Sequence, residues 1–239
     1  MKKPRFTTLY IVRHGETVWN VKKLLQGHAD SRLTKKGEIQ ARLVKDLLKD
    51  VRFDAVFSSD LTRSRKTAEI IALERKLAVQ TTKLIRERSF GEYEGKHYTV
   101  FAQELKHLLA KFEKLTDSQK YKFKYTQSME SDAELVGRFI TFLREIAVAY
   151  SGKTLLVVSH GGMMRALLIH LGYGNYRSLY PGVVKNTSYF VLETDGVEFK
   201  VTQTFNIEKA IILSADFVKN HHGKLKYFSA LAPEPVKIS

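Results

Sequence analysis

Two histidines stand where chemistry is easiest to build. His14 lies in Arg13-His14-Gly15-Glu16-Thr17, directly after the apolar run Leu9-Tyr10-Ile11-Val12. His160 lies in Ser159-His160-Gly161-Gly162, directly after Thr154-Leu155-Leu156-Val157-Val158. β-branched apolar runs of this length read as buried strands. Glycine beside each imidazole lets backbone approach a ligand closely. Three further groups fall in equivalent places. Arg63 follows Ser58-Ser59-Asp60, Glu87 follows a strand ending near Ile85, and Arg13 adjoins His14.

These side chains suit attack on a phosphoryl group. A dianionic phosphate repels anionic nucleophiles, so a neutral imidazole nitrogen is a suitable attacker. Charge on the non-bridging oxygens calls for preorganised cations and N–H donors. The arginine fork matches phosphate in pairs of hydrogen bonds. A leaving alkoxide needs a proton, which a carboxyl group held protonated can supply.

Stepping outward, strands and helices alternate. Strands are expected at about 8–12, 54–57, 79–85 and 153–158. Helices are expected at 36–49, 61–74, 98–115, 132–150 and 163–171. Leu43, Leu47 and Leu48 form the apolar face of the first helix. Phe101, Leu105, Leu108, Phe112 and Leu115 form that of the third. Asp132 begins the fourth as a cap or first-turn residue. Lys120, Lys122 and Lys124, alternating with aromatics, read as a linker or half-buried strand with lysines outward. The other reading of that pattern is a grip on an anionic substrate or nucleic acid. Thr194-Asp195-Gly196-Val197 is the turn of a hairpin between 188–193 and 198–204.

The expected fold is therefore α/β, with three α/β/α layers around a mostly parallel sheet. An antiparallel edge comes from the hairpin, and an inserted helical cap spans about 98–130. One domain covers 1–205, and 206–239 is an appendage with Pro233 and Pro235. In such sheets ligands bind beyond the carboxyl ends of the strands, which brings the candidates to one rim.

Composition narrows the classes. No cysteine is present, which excludes disulfides, thiol nucleophiles and thiolate metal sites. No run is long enough for a membrane-spanning helix, and the four-residue run at Leu9–Val12 is too short for a secretory signal. A cytoplasmic protein is expected, so Asn186-Thr187-Ser188 reads as a chance glycosylation match. The formal net charge of +15 attracts anions, phosphorylated metabolites among them, without choosing one.

The motifs resemble the histidine phosphatase superfamily, which includes phosphoglycerate mutases and fructose-2,6-bisphosphatases. The resemblance runs from Leu9 to about Phe205. It rests on Arg13–Thr17 with Trp19-Asn20, Gln26–Asp30, Leu33–Gly37, Gln40-Ala41, Ser58–Ala68, Arg86–Gly95 and Ser159–Leu167. It implies that His14 is the phosphorylated nucleophile. Arg13, Arg63 and a cationic His160 would hold the phosphate, with Asn20 and Gly161 adding contacts. Glu87 would protonate the leaving oxygen and then activate water. No metal or other cofactor is implied.

Other readings stay open. Glu92 and Glu94 compete with Glu87, and Asn20 could cap the following turn. His14 with Glu16 could form a metal pair. His28 and Trp19 read as loop-shaping residues, His97, His107 and His170 as ordinary ones, and His221-His222 as part of the tail. The mutase branch carries paired arginines in its insert, whereas no arginine lies between Arg88 and Arg138 here. Phe90, Tyr98 and the Gly-Gly after His160 also differ from that branch. Hydrolysis of small phosphorylated metabolites, sugar phosphates or bisphosphates among them, is expected. A cofactor-dependent mutase and a noncatalytic anion-binding module are the alternatives. Nucleic acid and membrane are not expected partners, and the sequence does not set the oligomeric state.

Overall fold

A computed structural model describes residues 6–210. The elements, in chain order, begin with β1 (Thr7–Arg13), α1 (Val18–Val21) and α2 (Lys35–Leu47). Then come β2 (Ala55–Ser59), α3 (Thr62–Ala72) and β3 (Val79–Thr82). The segment expected to form a cap holds α4 (Tyr98–Glu104), α5 (Lys106–Glu113) and α6 (Asp117–Lys122). The chain continues through α7 (Asp132–Ala149), β4 (Thr154–Ser159) and α8 (Gly161–His170) to the hairpin β5 (Val184–Thr194) and β6 (Phe199–Ile207).

The strands form one sheet in the order β3-β2-β4-β1-β5-β6. β1, β2, β3 and β4 pair in parallel, while β5 runs antiparallel to both β1 and β6. Alternate residues of β1 and β4 feed two different cores. Leu9, Ile11, Leu155 and Val157 pack with α7 and α8. Val12, Leu156 and Val158 pack with Val44, Ala68 and Ile71 of α2 and α3. A strand buried on both sides must be apolar at every position, which is why these runs do not alternate. The three-layer α/β/α arrangement follows.

Several local expectations change. The helix read over 98–115 breaks at Leu105 into α4 and α5, over a separate small core of Tyr93, Leu105 and Met129. The segment read as a lysine-flanked linker is partly α6, which Thr116 opens with a capping box. Lys120 on it is buried rather than outward. In α2 the buried residues are Gly37, Ala41 and Val44, followed by Leu48. Leu43 and Leu47, read as core, are exposed. Ser131 caps α7, and Asp132 takes the first-turn place of its two readings. β6 runs two residues past the boundary read at 205, and the rest of the appendage beyond Ala210, with His221, His222, Pro233 and Pro235, lies outside the described residues. Among the described residues no helix is long and apolar enough to cross a membrane.

Candidate active site

β1 and β4 are adjacent and parallel with Arg13 level with Ser159, so His14 and His160 leave the sheet side by side. Their ring centroids lie 5.2 Å apart at 64°. Both rings are buried.

The hydrogen bonds fix the His14 tautomer. Its Nδ1 lies 2.7 Å from the Gly15 carbonyl oxygen. A carbonyl only accepts, so Nδ1 carries the proton and Nε2 keeps a free lone pair. Burial first, then Arg63 and Arg13, push its pKa well below the ordinary 6.5. Asn186 Nδ2 donates to the His14 carbonyl at 3.1 Å, which anchors the backbone from β5. On the other side Gly15 meets Gly37 so closely that a β-carbon on Gly15 would lie 2.4 Å from the Gly37 carbonyl oxygen.

His160 departs from the cationic form that the resemblance implied. Arg63 Nε–H donates to its Nδ1 at 3.3 Å, and Ser64 Oγ lies 3.2 Å from its Nε2. A ring nitrogen that accepts cannot carry a proton, so this ring is neutral. Burial, then Arg63, lowers its pKa well below the ordinary value.

The two arginines divide their work. Arg63 is fully buried and donates to Gly27 O at 2.7 Å, Ala29 O at 2.8 Å, Asp30 Oδ1 at 3.2 Å and His160. Four of its five N–H groups are thereby taken. Its first task is to tie the 27–30 loop to His160. Arg13 donates from Nη1 to Val184 O at 2.6 Å, and its buried Nε has no partner. Desolvation lowers its pKa to about 10, so it stays cationic. Arg13 is the guanidinium with donors to spare. Gly161 leaves room for it, since a β-carbon there would lie 3.0 Å from Arg13 Nε.

Glu87 sits at the start of α8. Its carboxylate accepts from Gly162 N at 2.9 Å, Met163 N at 3.0 Å and Arg88 N at 2.8 Å. The positive end of a helix favours a carboxylate there. Gly162 is required for this approach, because a β-carbon would come 2.6 Å from Glu87 Oε1. The Gly161 N–H is then the first-turn donor left to a ligand.

The rivals of Glu87 are occupied elsewhere. Glu94 accepts from the N–H groups of His28, Ala29 and Phe90, holding two loops together, and Glu92 accepts from Ser128. Glu16 accepts from Thr34 Oγ1 at 3.0 Å and pairs with Lys36, so it does not join His14 in a metal pair. Asn20 does cap a turn: Thr17 and Asn20 form a capping box around α1. Its Oδ1 is used there and by Asn186, which leaves its NH2 group to donate.

Three positioning residues escaped the sequence reading. Arg138 donates to Leu84 O, Arg86 O and Glu87 O while pairing with Glu130. Ser64 meets His160, and Asn186 holds His14. Asn186 stood in the sequence only as a chance glycosylation match, and no spacing signal marks the other two.

Comparison with known proteins gives the family. Residues 9–207 match the Histidine phosphatase superfamily (branch 1). The chain is 36% identical over 164 residues to the phosphoglycerate mutase-like protein 4 of Arabidopsis thaliana, covering 68% of this chain and 70% of that one. It is 31% identical over 215 residues to the broad-specificity phosphatase YOR283W of Saccharomyces cerevisiae, covering 84% and 86%. Bacillus stearothermophilus YhfR superposes with a TM-score of 0.72 at 29% identity, over 84% of this chain and all of that one.

Proposed function

Since this chain belongs to the histidine phosphatase superfamily and is a phosphoric monoester hydrolase, we propose that it works through a phosphohistidine formed on His14 Nε2. The observation that carries this reading is the His14–Gly15 hydrogen bond, which commits the proton to Nδ1 and leaves Nε2 unprotonated. In the first step Nε2 attacks phosphorus and the ester P–O bond breaks. Glu87 enters this step as the neutral acid, gives its proton to the departing oxygen and is left as the carboxylate that the Gly162, Met163 and Arg88 N–H groups hold. In the second step Glu87 takes a proton from water, whose oxygen attacks phosphorus as the P–Nε2 bond breaks; inorganic phosphate leaves and His14 Nε2 recovers its lone pair.

Arg13, the remaining Arg63 N–H, Gly161 N–H and Asn20 NH2 hold the non-bridging oxygens. A dianion entering between the rings favours a proton on His160. We therefore assign its cationic form to the substrate complex alone. No step of this scheme calls for a metal.

The substrate class is small phosphorylated metabolites, with sugar phosphates included. Relatives named for several different esters support a broad class: a putative phosphoserine phosphatase at 33% identity and an adenosylcobalamin/alpha-ribazole phosphatase at 33%. A cytoplasmic setting goes with such substrates. Segment 98–130, read as a cap, would choose among them. The test is phosphate release from a metabolite panel by wild type and His14→Ala, with alkali-quenched protein assayed for an acid-labile, base-stable phosphoryl group. Equal rates in both proteins would leave only anion binding. Rapid isomerisation of 3-phosphoglycerate with 2,3-bisphosphoglycerate would make the chain a mutase.

A further inference from the structure

The hydrogen bond that fixes the His14 tautomer depends on one carbonyl, and the peptide that carries this carbonyl is held from its other end. The Gly15–Glu16 peptide points its C=O at His14 Nδ1, 2.7 Å away. Its N–H, on Glu16, donates to Gln40 Oε1 at 2.8 Å. In a trans peptide the C=O and N–H point in opposite directions. A side chain that accepts from the N–H therefore sets where the C=O aims.

Gln40 reaches this N–H because α2 docks closely on the turn. Thr34, the N-cap of α2, donates its backbone N–H to Glu16 O at 2.9 Å. Gly37 lies against the same backbone, since a β-carbon on it would come 2.0 Å from Glu16 O. Gln40 stands three residues further along, on a neighbouring part of the helix surface. The preceding His14–Gly15 peptide is also held at both ends. Its N–H donates to Thr67 Oγ1 at 3.1 Å, and its C=O accepts from Asn186 Nδ2 at 3.1 Å. Thr67 donates its own hydroxyl proton to Arg63 O at 2.8 Å, so Oγ1 keeps a lone pair for Gly15.

The restraint matters because Gly15 joins the two peptides. A residue without a β-carbon passes readily between backbone conformations that others avoid. Half a turn of the Gly15–Glu16 peptide would present its N–H to His14 Nδ1 in place of its C=O. Nδ1 would then have to accept, and the imidazole proton would move to Nε2. The atom that attacks phosphorus would have no lone pair. That rotation breaks the Gln40 hydrogen bond. Accepting from the N–H also polarises the amide, which makes the Gly15 oxygen a better acceptor for Nδ1–H.

We propose that Gln40 is a positioning residue of the nucleophile. Its side-chain oxygen, acting through the Gly15–Glu16 peptide, holds His14 in the tautomer that leaves Nε2 free. This rests on the proposed role of His14.

The test compares wild type, Gln40→Met and Gln40→Glu. Methionine keeps the length of the side chain and removes the acceptor, whereas glutamate keeps an acceptor oxygen. Long-range 1H–15N NMR of histidine-labelled protein at about pH 8 reads the tautomer, with the His14 signals identified by their loss in His14→Ala. Wild type and Gln40→Glu should carry the His14 proton on Nδ1. Gln40→Met should show a substantial share of the Nε2-protonated form. In that variant, rapid-quench assays with p-nitrophenyl phosphate should find phosphohistidine formation slowed about ten- to a hundredfold, with KM changed by less than about threefold. Gln40→Glu should recover most of the rate. A slow Gln40→Met whose His14 keeps the wild-type tautomer would mean that Gln40 only supports the turn, and would overturn the proposal. So would a Gln40→Met with wild-type tautomer and rate, or a Gln40→Glu that fails as Gln40→Met does. Failure of the underlying chemistry looks different: turnover in His14→Ala would match that in wild type, while the tautomer would still follow residue 40.

Discussion

His14 and His160 face each other edge to face at 5.2 Å, and each holds its neutral form by a different device. His14 spends its proton on the Gly15 carbonyl, and His160 accepts from Arg63. The pair joins the two strand ends on which the site depends.

Neutral buried rings make stability depend on pH in one direction. Both folded-state pKa values are lowered, so the unfolded chain binds more protons once pH falls below about 6.5. The stabilisation is complete above that value. It should decline as pH falls toward the folded-state values, by about 1.4 kcal/mol per pH unit for each ring. Urea denaturation from pH 8 to 5 checks this, with His160→Gln showing a smaller slope. NMR titration of the ring protons should find neither ring charging near 6.5 in the free protein.

Removing the nucleophile should be drastic. His14→Ala should lower kcat by roughly three powers of ten or more. Glu87→Gln should lower it by about two to four, with more phosphohistidine trapped on esters whose leaving group needs no proton. Rapid-quench assays with p-nitrophenyl phosphate read both.

Gly162→Ala tests the seat of the general acid without touching it. The added methyl group would lie 2.6 Å from Glu87 Oε1, so the carboxylate must move. The variant should fold with Tm within a few degrees of wild type and lose about 10- to 100-fold in kcat, with a smaller change in KM. Loss of KM alone would count against Glu87 as the proton donor.

Thr187 offers a test of strain. It has φ +59, rarely adopted by a β-branched residue. Its neighbour Asn186 holds the His14 carbonyl. Thr187→Gly should stabilise by up to about 1 kcal/mol in chemical denaturation, if relief of strain exceeds the added freedom of the unfolded chain. Asn186→Ala should instead lower kcat, since it leaves the His14 carbonyl with only the longer, 3.4 Å hydrogen bond from Thr187 N–H.

The layered fold was legible because β1 and β4 carry unbroken apolar runs, Leu9–Val12 and Leu155–Val158, and four parallel strands with intervening helices have few ways to pack. The motif residues were legible as a set, and the topology brings His14, Arg13, Arg63 and His160 to one rim as anticipated. Partnerships were not legible. No sequence spacing reveals that Arg63 gives four N–H groups to the protein, or that His160 is held as an acceptor. Nor does it reveal that Lys120 turns inward. The α2 face was misread because Leu43 and Leu47 outweigh Ala41 in hydrophobicity, while close packing of α2 against α3 selects the small residue. Leu43→Lys should therefore change stability by less than about 0.5 kcal/mol, whereas Leu48→Ala should cost about 2–5 kcal/mol.

β1 is clamped on both flanks, by β4 and by β5. The strand bearing the nucleophile therefore has no freedom to recoil when phosphorus is captured or released. Any rearrangement during turnover falls to the imidazole itself and to the segment proposed to form a cap. Amide hydrogen exchange in β1 should stay slow through the catalytic cycle, while α4–α6 carries whatever breathing the enzyme has.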